Sequence, residues 1–478
     1  MRARIFRSLI ISTVLALVAT QRSPAADLGN QVTRFERQLE ESGYVSQPGT
    51  ETTSDLNQMY CMGVLFSAMG PNPESPTLMT GLPQVPGQAP NSNPPATWRL
   101  RQDEALVLIG RTPPPMAYFS FDLTMLRGFL PTGPLLWVSI GDPLNNMTVR
   151  TTGSTPYNQP FALVITGHRR TQAEVNKMLT AAGLGGAINN VTIPPAMFRL
   201  GLDASSDEFL LGKRMAVPKP GFEQARDDYL TAPPLQVFRV RPKSNSADEN
   251  QPVYAPDPLP VPRLRVSGTG TSELELNPML QLLRQRIVDK YPGFSAYDVP
   301  IEWACQESYP GLQENLVIDP PVLGVGAASY DARYLNSPNF GLPDGSFIVA
   351  YGLNHVATGK ASYTSVTVCA DPEAVVNLVA KHHRHLQGSA RDFIADQQNA
   401  DKFYAWSFSR AGSSGPQGLH VTTLAATDTC FCQRYGLSRP VDMSTVQLFF
   451  RVYAEPATKT RPALSELLLD RLLFFIPK

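Results

Sequence analysis

Charge is scarce in this 478-residue chain: Asp, Glu, Lys and Arg make up 17% of it, 41 basic side chains against 41 acidic. That balance gives neither a nucleic-acid backbone nor an anionic membrane surface an electrostatic reason to bind. Long apolar runs are also lacking. Beyond the N-terminal region the strongest is "LSELLLDRLLFFI" at 464–476, which Glu466, Asp470 and Arg471 interrupt; a spanning helix needs about 20 apolar residues. Low charge together with 44 prolines favours many short strands and turns over long surface helices.

The common catalytic signatures are missing. "AGSSGPQG" at 411–418 is one residue too short for a Gly-x-Ser-x-Gly nucleophile elbow. No phosphate-binding Gly-x4-Gly-Lys-Ser/Thr, His-Glu-x-x-His or EF-hand spacing occurs. "GVGAAS" at 324–329 begins like a dinucleotide fingerprint, but Ser329 stands at its third position. These absences leave open an enzyme whose catalytic groups converge only in space, and no cofactor is implied.

Cysteine is sparse and odd in number: Cys61, Cys305, Cys369, Cys430 and Cys432. In an oxidising compartment some pair, and an odd count leaves one over. Cys430 and Cys432 lie two apart, so in an extended segment they point the same way and seek separate partners.

What the chain does contain begins with Arg2, Arg4 and Arg7, an apolar stretch from Leu9 to Ala19, and the small residues Ser23 and Ala25. This reads as a secretory signal over 1–25, predicting a soluble secreted or periplasmic product with no membrane span after cleavage. Residues 26–97 then form an N-terminal extension. Val32, Phe35 and Leu39 recur at helical spacing within 27–44, and a Pro-rich stretch over 69–97 reads as loop.

From Trp98 onward five features recur in one order. Gly141 and Gly352 each follow an apolar run, 211 apart; "TQAEVNKMLTAAG" and "DPEAVVNLVAKHH" read as capped helices, opened by Thr171 and Asp371. "SDEFLLGKRMA" faces "ADKFYAWSFSRAG", "QVFRV" faces "LFFRV", and "PRLRV" faces "DRLLFF", with all offsets between 194 and 212. The pattern predicts an α+β fold of two similar strand-rich lobes, 98–268 and 310–478, arising from an internal duplication. Each lobe carries one or two helices. A Pro-rich segment at 241–262 closes the first lobe, and a bridging helix within 272–293, with Leu276, Leu280, Leu283 and Ile287 on one face, lies in the linker 269–309.

A cleft between two lobes is a natural place for a small molecule, and the two glycine turns differ in chemistry. One offers Asp142, Asn145 and Asn146; the other offers Asn354, His355, Lys360 and Tyr363. His355 is the candidate acid or base because imidazole titrates near neutrality, with Lys360 as anion holder or second base. Asn354, Tyr363, Asp142 and Asn145 are candidate ligand-binding residues. His382 and His385 in "KHHRH", at the end of the second expected helix, share a face, but no third metal ligand lies nearby in sequence, so no metal site is expected. The expected function is that of an exported protein binding or transforming a small organic molecule between its lobes. The alternative is a non-enzymatic structural or interaction protein of the cell envelope or surface.

Overall fold

The computed structural model describes residues 24–63, 72, 74–92, 96–128, 135–244, 250–303, 329–370, 376–410, 420–424 and 430–478. Among them the chain is a strand-rich α+β protein with four sheets. The N-terminal part forms a five-stranded sheet in the order β1 (Tyr44–Pro48), β11 (Leu235–Pro242), β4 (Ala105–Arg111), β8 (Pro160–Thr166), β9 (Ile188–Thr192). Its second sheet runs β2 (Thr50–Ser54), β3 (Thr77–Gly81), β10 (Glu208–Pro218), β5 (Met116–Gly128), β6 (Leu135–Ser139), with β7 (Leu144–Asn145) against β5.

The C-terminal part forms a five-stranded sheet in the order β12 (Phe294–Val299), β22 (Arg471–Pro477), β16 (Phe347–Leu353), β19 (Phe403–Arg410), β20 (His420–Leu424). Beside it lies a sheet of β13 (Glu302–Trp303), β14 (Ala332–Asn336), β21 (Thr445–Tyr453), β17 (Tyr363–Ala370) and β18 (Val376–His382), with β15 (Phe340–Gly341) against β21. Both five-stranded sheets end in a parallel pair, β8 with β9 and β19 with β20.

Alternation explains the layering. In "ALVLIGR" of β4, Ala105, Val107 and Ile109 face Phe35 and Leu39 of helix α1 (Pro24–Glu41). Leu106 and Leu108 face the other way, toward Phe119, Phe121 and Phe209 of the neighbouring sheet. A strand buried on both faces reads as a continuous apolar run. The same holds in the C-terminal part. Phe347, Val349 and Tyr351 of β16 meet Leu280, Leu283 and Ile287. These come from helix α5 (Asn277–Lys290), after α2 (Leu56–Cys61), α3 (Arg169–Leu179) and α4 (Glu223–Thr231) in chain order. Ile348 and Ala350 meet Val366, Leu448 and Phe450 behind.

Gly110 and Gly352 are each the sixth residue of their strand, β4 and β16. A Cβ on Gly110 would lie 2.3 Å from the carbonyl oxygen of Pro234, and one on Gly352 would lie 2.6 Å from Asp470 Oδ1. In both places glycine lets the residues leading into the last strand, β11 or β22, pass close to the central strand. Gly141 sits elsewhere, just beyond β6 in a six-stranded sheet, so the two glycines matched in the sequence occupy unlike places.

Several expected elements differ. The stretch expected as a second capped helix is strand β18 from Val376 to His382, paired with β17 from Ala370↔Val376 to Ser365↔His382. Val376 and Val379 pack on a pleated surface, where branched side chains fit best; Asp371 and Pro372, the expected cap, lie outside the described residues. The first capped helix is present as α3, but His168 caps it by accepting from the backbone N–H of Thr171 at 3.2 Å. β3 lies inside the stretch expected to be loop, and 262–266 forms no regular element. The stretch "AGSSGPQG" at 411–418 and most of the expected signal lie outside the described residues.

Cys61, closing α2, is disulfide-bonded to Cys432 in the short helix Cys430–Gln433, across 371 residues of sequence. Phe431, Val441 and Met443 bury Tyr60 beside that bond. Cys369 is a buried free thiol, which burial pushes up to about 12. No helix among the described residues is long and apolar enough to cross a membrane.

Candidate functional site

His355 sits in the turn that follows β16 and is fully buried. Its Nδ1 lies 2.8 and 3.0 Å from the two carboxylate oxygens of Glu273, and its Nε2 lies 3.5 Å from Asp470 Oδ2. Glu273 also accepts from the Thr358 hydroxyl at 2.6 Å and the Leu468 backbone N–H at 3.1 Å; Asp470 accepts from the Tyr404 hydroxyl at 2.6 Å. Burial by itself would depress the imidazole, but the carboxylates of Glu273 and Asp470 outweigh it and raise His355 to about 10. In return, although burial would raise Glu273, the facing imidazolium holds it below its ordinary value. The ring is therefore an imidazolium between two carboxylates at neutral pH, with no lone pair to accept a proton.

Lys360 closes the same turn and is equally buried. Its Nζ contacts Glu455 at 3.1 and 3.2 Å and Glu466 at 2.7 Å. Glu455 also accepts from the backbone N–H of Thr271, and Glu466 from that of Gly270. His355 and Lys360 thus fasten residues 270–273 and 455–470 to the end of β16. Asn354 donates to the His383 carbonyl at 3.0 Å.

The other three candidates go elsewhere. Asp142 accepts from the backbone N–H of Arg265. Asn145 donates to Asp331 at 2.9 Å, and the Tyr363 hydroxyl accepts from Asn72 at 2.6 Å. Asn145 and Tyr363 lie on the seam between the N-terminal and C-terminal sheets, where the described side chains pack against one another. Tyr118 and Tyr363 pack on Tyr453 with ring centroids 5.0 and 4.9 Å apart. The Arg214 guanidinium lies 3.1 Å from Asp122 and 3.7 Å from Asp331, and donates to the Tyr334 hydroxyl at 2.8 Å. Among the described residues, the six singled out in the sequence fall into separate contacts and line neither of the cavities that flank α5 and Arg101.

A concavity of about 540 Å³ opens in the C-terminal part between α5, β12 and the segment 467–472. Asp470 forms part of its wall, so the His355 cluster lies directly behind it. Arg471 enters it from the first position of β22 and faces the Gln281 carboxamide at 2.9 and 3.2 Å, with the amide oxygen assigned to that side because an amide nitrogen there would meet only donors. Arg284 is matched by Asp298, with Nε 2.9 Å from Oδ1. Arg471 makes no ion pair among the described residues. Val299 and Ile301 give the wall an apolar side. The Tyr351 hydroxyl, pushed up to about 12 by burial with Arg471 opposing, stays protonated beside Arg471. Asp298 and Asp470 line the same cavity, but neither forms an ion pair with Arg471, and a guanidinium without a direct carboxylate partner beside an apolar wall suits an anionic group on a small organic body. Gln281, Arg284 and Arg471 stand out little in the sequence because a polar or cationic side chain on an amphipathic helix or at a strand start reads as solvated surface; the available signal was that Arg284 flanks the apolar stripe of Leu280, Leu283 and Ile287 on α5.

His382 ends β18 and caps the one-turn helix α6 (His383–Leu386), where its Nδ1 accepts from the backbone N–H of Arg384 at 3.2 Å. Burial first, then repulsion from His385, His383, Arg384 and Lys381, pushes His382 down to about 3. The two histidines expected on one helix face are instead split between a strand end and a turn.

No family model matches this chain, and no curated protein matches it. Among solved structures it is similar to the crystal structure of the VPA0106 protein from Vibrio parahaemolyticus, at 12% identity over 94% of this chain and 97% of that one, with a TM-score of 0.33. So distant a likeness carries no argument about what either protein does.

Proposed function

We propose that this chain is an exported protein of two similar halves that binds a small organic anion in the cleft beside Arg471, without using His355 or Lys360 as catalysts. The observation that carries this reading is the guanidinium of Arg471, which faces the Gln281 carboxamide in a partly apolar cavity of about 540 Å³ and forms no ion pair among the described residues, although Asp298 and Asp470 line the same wall. Cavities of this size suit small ligands. The N-terminal basic and apolar pattern and the Cys61–Cys432 bond support an oxidising destination.

Internal duplication is supported by the matching strand orders, the shared parallel edge pairs and the glycine at the sixth position of β4 and β16. The halves best supported run over 24–242 and 277–477, wider than 98–268 and 310–478, because β1 and β12 each pair with the last strand of their own half. The alternative, an interaction protein of the envelope, draws its support from the packing of Tyr118, Tyr363, Tyr453 and Arg214 along the seam, which leaves no shared cleft among those described residues. The test is a thermal-shift screen of the full chain against small mono- and dicarboxylates, repeated with Arg471→Gln. The expected result is a subset of carboxylates that raise Tm in the wild type and not in the variant. A chain stabilised by none of them, or an R471Q variant that responds equally, overturns the reading.

A further inference from the structure

We propose that Glu74, His382 and His385 form a binding site for one divalent transition-metal ion of the zinc type. Each offers one ligand atom, and the three atoms lie within 4.8 Å of one another. They come from separate stretches: Glu74 from the approach to β3 in the N-terminal part, His382 from the end of β18, His385 from α6. Sequence spacing finds two of these ligands and misses the third, which lies some 300 residues away along the chain.

The distances fit an ion better than direct contact. His382 Nε2 and Glu74 Oε2 are 3.9 Å apart, too far for a hydrogen bond. Two metal–ligand bonds of about 2.0–2.2 Å meeting at an open angle span roughly 3.3–4 Å. The His382 and His385 rings lie with centroids 3.8 Å apart, so small rotations bring both nitrogens to one point. Two imidazoles and one carboxylate form a three-ligand set that zinc accepts with a fourth position open to water.

Binding has a structural cost that gives it a second signature. The Nδ1 of His382 accepts from the Arg384 N–H at 3.2 Å, and that of His385 from the His382 N–H at 3.4 Å. A neutral ring that coordinates through Nε2 carries its proton on Nδ1, so metal entry breaks both contacts and shifts the turn 382–386. Lys381 and Arg384 flank the site and oppose a cation, which sets the affinity below that of an all-buried structural zinc site.

The experiment uses the untagged full chain titrated with Co²⁺ and then Zn²⁺. The expected result is one equivalent of cobalt, visible as d–d absorption that zinc abolishes, with altered amide exchange at Arg384. His382→Ala and His385→Ala are expected to lose the absorption, and Glu74→Gln to weaken binding at least tenfold. His385 is exposed, so His385→Asn serves as the variant that keeps its fold, checked by near-ultraviolet dichroism. A wild type that binds no cobalt, or histidine variants that bind it unchanged, overturns the proposal.

Discussion

A buried histidine is informative through what surrounds it. His355 lies between Glu273 and Asp470 with no exposure, and its folded value of about 10 stands above the ordinary 6.5. The ion cluster contributes fully below pH 6.5, and its contribution drains away as pH rises from there through about 10. Wild-type Tm is therefore expected to fall across that window by an amount that His355→Gln removes, measured by thermal denaturation at steps between pH 6 and 10.5. Parallel curves for the two proteins would refute the cluster. The same variant leaves two buried carboxylates without their cation, and at pH 7 the expected loss is about 3–5 kcal/mol. The sequence made His355 and Lys360 legible as unusual residues in a turn between apolar strands. It did not show their role, because Glu273, Glu455, Glu466 and Asp470 are 82 to 115 residues distant along the chain. Carboxylates so far away look like surface charge until the fold folds them inward.

At the scale of elements, glycine at the sixth position of β4 and β16 carries the close approach of the residues that lead into β11 and β22. Gly110→Ala meets the rigid Pro234 carbonyl, and an expected cost of roughly 1–3 kcal/mol follows from overpacking. Gly212→Ala in β10 finds nothing nearer than 3.5 Å and is the control, expected to leave Tm near the wild type or above it. Equal effects in the two variants would show that close approach is not what the glycine serves. Strands such as β4, β10 and β16 were legible because buried apolar runs bounded by turn residues have few other readings. The segment 376–382 was not. "VNLVAKH" fits a helix face and a strand equally by spacing, and only its pairing with β17 decides the matter. β3 was hidden among prolines that flank it on both sides without entering it.

For the molecule as a whole, α2 leaves the N-terminal sheet and is bolted to the far end of the chain by Cys61–Cys432, by Asn57 donating to the Asn377 carbonyl, and by Arg439 donating to the Tyr60 carbonyl. Removing that bond with Cys432→Ala is expected to lower stability by roughly 2–4 kcal/mol and to open 55–63 to limited proteolysis before the sheets are cut. A protease pattern identical to the wild type would mean that the packing of Tyr60 suffices alone. The bond also orders events during synthesis. Cys61 emerges early in synthesis and must wait for nearly all the rest of the chain, while Cys305, Cys369 and Cys430 each arrive before Cys432 does. A chain that oxidises as it emerges meets three wrong thiols first, so correct maturation calls for a disulfide-shuffling catalyst, or for β1 to be sequestered by β11 early enough to hold Cys61 out of reach.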